Sequence, residues 1–322
     1  MKKLLLALIS TALIIGLISC SPKSGKQGKS SLSDTVNITY VKAPLNVPLI
    51  VAKNMKIYEE NFAQAKEPRN VQFHELTSGP QQTEALAAKA VDFTSVLGAT
   101  SAILSAANGS DLRIIGIFAR APKAFVIETM KDDIKTVADL KGKKIAGPKG
   151  TILHQLLIAA LKREGLSIND VDFVSMMLPE ALSAMTAGKI DAALLAGGPM
   201  MQGLAKGARI LTDGENLVEG TTVIATRKDI LDNNPEVVST YLDAHRKSVK
   251  AMVDNWDQAI SLAAEELGIS REEVEKTINL YDFDMVIKPN DKTELEKTQQ
   301  FLIENGMLDQ PINIEELVIT NW

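Results

Sequence analysis

From residue 36 to residue 226, short apolar runs alternate with segments whose apolar positions recur every three or four residues. The first pattern is that of a buried strand, the second that of a helix with one face on a core. Read this way, strands are expected over 36–41, 71–76, 91–96, 112–118, 125–128, the stretch ending at Ala146, 171–174, 190–195, 209–211 and 221–226. Helices are expected from Pro48 to about Tyr58, over 81–89, from Gly98 to Ala107, over 151–164 and over 180–187, with a short turn at 137–140. Pro48 suits a first helical turn, and Asn46 is a suitable cap for it. Beyond residue 235 the pattern is almost wholly helical, over 235–256, 258–267, 271–280 and 292–305. Strand and helix in alternation place the chain in the α/β class, built on mainly parallel sheets.

The pattern also repeats. Glu84 to Asp92 aligns with Ser183 to Asp191, 99 positions later, and Gly98 then falls on Gly197. Helix, turn, buried strand, glycine and new helix follow one another in both places, so two similar lobes are expected.

The amino terminus changes the picture of where such a protein works. Lys2 and Lys3 precede an apolar run from Leu4 to Ile18, the layout of a secretory signal peptide and too short to span a bilayer comfortably. The run ends in Leu17-Ile18-Ser19-Cys20, which looks like a bacterial lipobox with Cys20 as the lipidated residue after cleavage at residue 19. Cys20 is the single cysteine, so no disulfide can form within the chain. Residues 20–33 then read as the lipidated cysteine and a small, polar tether reaching roughly 20 Å. The chain carries 35 basic and 40 acidic side chains, and loss of Lys2 and Lys3 takes its net charge to about −7, which argues against a nucleic-acid partner.

In an open α/β sheet, ligands sit where strands run into helices and backbone N–H groups point outward. Four such turns stand out: 43–48 with Asn46, 97–100 with Gly98, Ala99 and Thr100, 148–151 with Gly150 and Thr151, and 196–199 with Gly198 and Pro199. Glycine admits close approach to the backbone, and the threonines add hydroxyl donors. Arg120 and Lys123 are candidates for positive charge in a cleft, although a surface role suits either. Of the three histidines only His154 is well placed for a ligand, one turn after Gly150. The segment 142–147 has the glycine spacing of a phosphate loop, but Pro148 stands where its lysine belongs, and neither a nucleophile elbow nor a His-Glu-x-x-His zinc motif occurs.

Taken in order, these segments resemble the substrate-binding proteins of nitrate, sulfonate, taurine and thiamine-precursor ABC importers. The carrying residues are Pro44 to Lys53 with Tyr58, Gly79 with Glu84-Ala85-Leu86, Val91-Asp92-Phe93, Asp139 to Ile145, Gly150-Thr151 with His154, Gly165-Leu166, Gly188, Ile190-Asp191-Ala192 and Pro199. The resemblance implies a two-lobed type II periplasmic-binding-protein fold with the ligand cleft between the lobes. Residues 34–125 and 222–322 form lobe one and 126–221 lobe two, hinged on crossing strands near Phe125 and Thr222. It implies that Thr151, Ile152, His154 and Pro199 face a small anionic or acceptor-rich ligand. It also implies passage of that ligand to a permease and ATPase, no catalysis, no cofactor or metal, and a monomer. The chain departs from the sulfonate-type pattern at Ala196-Gly197-Gly198, where an aromatic residue commonly precedes the proline, so a wider pocket is expected. Two rival functions remain open: a sensory receptor presenting its ligand to a signalling protein, and a pyrimidine-precursor enzyme, whose cysteine-rich motif this chain lacks.

Overall fold

A computed structural model describes residues 32–320. Cys20, the signal peptide and most of the tether lie outside the described residues. In chain order the elements are β1 (Thr35–Tyr40), α1 (Val47–Asn54), α2 (Ile57–Ala63), β2 (Asn70–Glu75), α3 (Gly79–Ala87), β3 (Phe93–Gly98), α4 (Ala99–Ala107) and β4 (Leu112–Ala119). There follow β5 (Phe125–Thr129), β6 (Lys144–Gly147), α5 (Ile152–Arg163), β7 (Asp172–Ser175), α6 (Leu178–Thr186), β8 (Ala192–Ala196), α7 (Gly197–Ala205) and β9 (Arg209–Asp213). The chain closes with β10 (Thr222–Arg227), α8 (Lys228–Asn233), α9 (Pro235–Asp254), α10 (Trp256–Leu267), α11 (Arg271–Ile278), α12 (Pro289–Glu304) and α13 (Ile314–Leu317).

The strands form two five-stranded sheets, ordered β2-β1-β3-β10-β4 and β7-β6-β8-β5-β9. Each is parallel except for one strand: β10 runs antiparallel to both β3 and β4, and β5 to both β8 and β9. The reversed strand follows the crossing from the other sheet in each case. The two lobes thus share one topology, and the repeat seen in the sequence has a chemical basis. Asp92 Oδ2 accepts the backbone N–H of Asn37 at the start of β1, and Asp191 Oδ2 that of Lys144 at the start of β6, at 2.9 and 2.8 Å. Lys89 and Gly188, 99 positions apart, both adopt left-handed backbone after their helices.

Each sheet is covered on both faces, as its apolar strands require. One face of the first sheet packs on α1, α2, α9 and α10 through Ile38, Leu49, Tyr58, Phe93 and Tyr241, the last two rings stacked 4.2 Å apart. The other face meets α3, α4 and α12 through Leu86, Leu97, Ile103 and Leu302. The second sheet is held between α5, through Leu156, Leu157 and Leu161, and α6 with α7, through Leu182, Met185 and Met200. Each fully buried leucine or isoleucine contributes about 1.5 to 3 kcal/mol.

The expected helix from Pro48 to Tyr58 is in fact two. Lys56, at φ +54°, breaks it, and no glycine or proline marks the spot. Nor does Asn46 cap α1: its Nδ2 donates to the Val41 carbonyl at 2.9 Å, which ties down the turn before the helix.

Two short segments, 120–124 and 214–221, connect the sheets and lie against each other. Ala121 N–H donates to the Glu219 carbonyl at 3.3 Å and Gly214 N–H to the Pro122 carbonyl at 3.0 Å. A Cβ on Gly220, which sits at φ +65°, would lie 2.6 Å from the Ala121 carbonyl oxygen, so the approach of the two backbones needs glycine there.

Candidate functional site

The four strand-to-helix turns meet in pairs across the seam between the lobes. At one point Gly98 faces Ile152, and a Cβ at Gly98 would touch the Ile152 side chain at 3.4 Å. At the other, Gly197 faces Pro44 and Ala43, at 3.5 and 3.7 Å from where its Cβ would be. Gly198 beside it has nothing within 4 Å of that position. Pro199 follows in the first turn of α7 and is half-buried.

No side chain caps α1, α4, α5 or α7, whereas Ser78 closes the start of α3 with a capping box. The amides of the uncapped first turns carry partial positive charge, the complement of an anion or a carbonyl oxygen. Part of this capacity is used: at α4 Ala99 N–H donates to the Thr221 carbonyl at 3.0 Å, at α1 Val47 N–H donates to the Pro44 carbonyl, and Pro48 and Pro199 carry no N–H in the first turns of α1 and α7. The Asn46 side chain is fully buried beside the first turn, and its Oδ1 has no partner.

The threonine hydroxyls, expected as free donors, are already used. Thr100 Oγ1 donates across the seam to Gln155 Oε1 at 2.8 Å, and Thr151 Oγ1 donates back to the Pro148 carbonyl at 2.8 Å. What each leaves open is an oxygen lone pair. Gln155 Nε2 in turn reaches Thr298 Oγ1 on α12 at 3.3 Å, and Ser101 Oγ donates to the Gly150 carbonyl at 3.0 Å. At the rim Lys162 pairs with Glu304 at 2.9 Å. These contacts hold the lobes together. Gln155 and Ser101, central to them, were not singled out in the sequence, where a glutamine and a serine on helices carry no signal of their own.

His154 faces inward. Its ring stacks on Phe173 at 4.7 Å, its Nδ1 accepts the Gly150 N–H at 3.4 Å, and burial, with Lys149 nearby, lowers its pKa to about 4. Buried and neutral, it braces the 148–151 turn. Arg120 is likewise buried. Its N–H groups go to Asp282, the Asp284 and Val286 carbonyls and both oxygens of Asp291, which fastens the start of the crossing segment to the approach of α12. Lys123 lies half exposed, paired with Glu215 at 2.8 Å. Among the described residues no group of three or more His, Cys, Asp or Glu is placed to hold a metal.

The arrangement is suited to reversible capture by backbone dipoles between two walls. Comparison with known proteins gives the family. The family described as NMT1/THI5 like matches residues 67–259. The putative aliphatic sulfonates-binding protein of Bacillus subtilis (strain 168) is 30% identical over 324 residues, 99% of this chain and 95% of that one. Its namesake in Escherichia coli (strain K12) is 28% identical over 261 residues, 80% of this chain and 78% of that one. The solved structure of the alkanesulfonate-binding protein SsuA from Xanthomonas axonopodis pv. citri bound to MOPS superposes with a TM-score of 0.80 at 25% identity, covering 90% of this chain and 99% of that one. On its sequence and its two-lobed fold, the chain belongs to the NMT1/THI5-like family.

Proposed function

We propose that this protein is the extracytoplasmic solute-binding component of an ABC importer, and that it captures a small organic anion, a sulfonate by preference, between its lobes. The observation that carries this reading is the meeting of four uncapped strand-to-helix turns across one seam. Such ends favour an anion by about 0.3 to 1 kcal/mol each when exposed and up to roughly 2 when partly buried. The names of the relatives support the sulfonate. Residues 34–125 with 222–322 and residues 126–221 act as the two lobes, Asn46, Gly98 to Thr100, Gly150 to Ile152, Gly198 and Pro199 line the cleft, and His154 steadies one wall. Binding is the whole of the activity, and the bound ligand passes to a permease and ATPase. Cys20 carries the lipid that keeps the monomer at the membrane.

The test is calorimetric titration with ethanesulfonate together with small-angle scattering. Ligand is expected to bind, to raise the melting temperature and to leave the protein at its smallest radius. Gly98→Val places a branched side chain against Ile152, so it should weaken binding at least tenfold while the ligand-free protein stays folded. Undiminished affinity in that variant moves the ligand away from the seam. Mass spectrometry of the mature chain reads the anchor, and a Cys20 without a diacylglycerol adduct removes it.

A further inference from the structure

Behind the contact of Gly98 with Ile152 lies a small recess of about 10 Å³, enough for the centre of one water-sized group. It is bordered by Thr100 on α4, Gln155 on α5, Glu219 and Thr221 on the returning crossing segment, and Glu294 and Thr298 on α12, so both lobes and their connection contribute. Thr221 is 6% exposed and its Oγ1 has no hydrogen-bond partner. The donors nearby are committed. The Thr100 hydroxyl is held by Gln155 Oε1 and the Gln155 amide by Thr298, which leaves a wall rich in oxygen acceptors.

Charge points the same way. Glu219 and Glu294 both border the recess, and the Glu219 carboxyl is pushed above its ordinary range, first by burial and then by Glu294. Two cations act nearby: Lys297 pairs with Glu294 at 2.7 Å, and Arg120, held by Asp282 and Asp291, also draws on Glu219. Glu294 is already paired with Lys297, so a compact cation here would receive the free Thr221 oxygen and relieve Glu219.

We propose that this recess is a subsite for one compact monovalent cationic group, taken by Thr221 and Glu219 with Glu294 beside them. It would be filled by a free ion such as sodium, potassium or ammonium, independently of the sulfonate reading above.

Melting curves of the mature chain in sodium, potassium or ammonium chloride, compared with N-methylglucamine chloride at equal ionic strength, test the site. One small cation is expected to raise the melting temperature, and Glu219→Gln and Thr221→Val are each expected to abolish the difference. The proposal is overturned if the melting temperature ignores the cation, or if the effect survives both substitutions, for then the recess holds water alone.

Discussion

Glu128 offers a sharp test of the fold's electrostatics. It lies on β5, fully buried under α7, and neither carboxylate oxygen has a partner. Its Oε2 reaches so close to Gly203 that a Cβ there would be 2.1 Å away. Burial, with no compensating cation, pushes its pKa up from 4.5 to about 8. The folded protein therefore holds this proton more tightly than the unfolded chain does. Stability from Glu128 is fully present below pH 4.5 and is lost as pH rises towards 8, at up to about 1.4 kcal/mol per pH unit. Glu128→Gln removes the titration and keeps the shape. Other titrating groups act in both proteins, including His154 and His245, whose pKa values burial lowers to about 4 and about 3, so they cancel in the difference. The stability of Glu128→Gln relative to the unaltered chain should thus rise by about 4 kcal/mol between pH 4.5 and pH 8. The amide brings an extra unpaired donor, a pH-independent cost of about 1 to 3 kcal/mol, so the variant should start less stable and finish more stable. Urea denaturation at pH 4.5, 6, 7 and 8 measures this, and two parallel profiles would show that the carboxyl has found water or a partner and that its burial has been misread.

Arg120→Met should destabilise by about 3 to 5 kcal/mol by stranding Asp291, which is 2% exposed, and Arg120→Met with Asp291→Leu should recover much of the loss; a double variant as weak as the single one would deny the pair its role. Gly220→Ala meets both a left-handed backbone and the Ala121 carbonyl, so denaturation should show a loss of about 2 to 4 kcal/mol, and a variant as stable as its parent would mean the crossing segments separate freely.

Most elements and their order were legible because most strands are short apolar runs near glycine, proline or asparagine and because the packed helices keep one apolar face, whereas the short helices α8 and α13 are too brief to show a period. The duplication was legible too. Glu84 to Asp92 and Ser183 to Asp191 spell the same helix, left-handed turn and strand, and both terminal aspartates bond a strand N–H. Side-chain partners were not legible. Arg120 was expected at the surface, with cleft charge as the alternative, because its partner Asp291 lies 171 positions away, and Thr100 looked like a free donor because Gln155 belongs to the other lobe. Glu128 read as an ordinary strand residue, since nothing local reports that α7 will cover it. Lys56 breaks a helix with a residue that carries no breaking tendency, so only packing of α2 against α9 explains it.

The contact at Gly220 bears on motion as well as on stability. Segments held apart by side chains could slide past one another, but here backbone lies on backbone, and Ala121 with Glu219 and Gly214 with Pro122 oppose any slip. Rotation about the pair is the motion these contacts oppose least. On the importer reading proposed above, a ligand in the seam would set that angle from within and a permease touching both lobes would read it from without, so occupancy and recognition would share one mechanical coordinate.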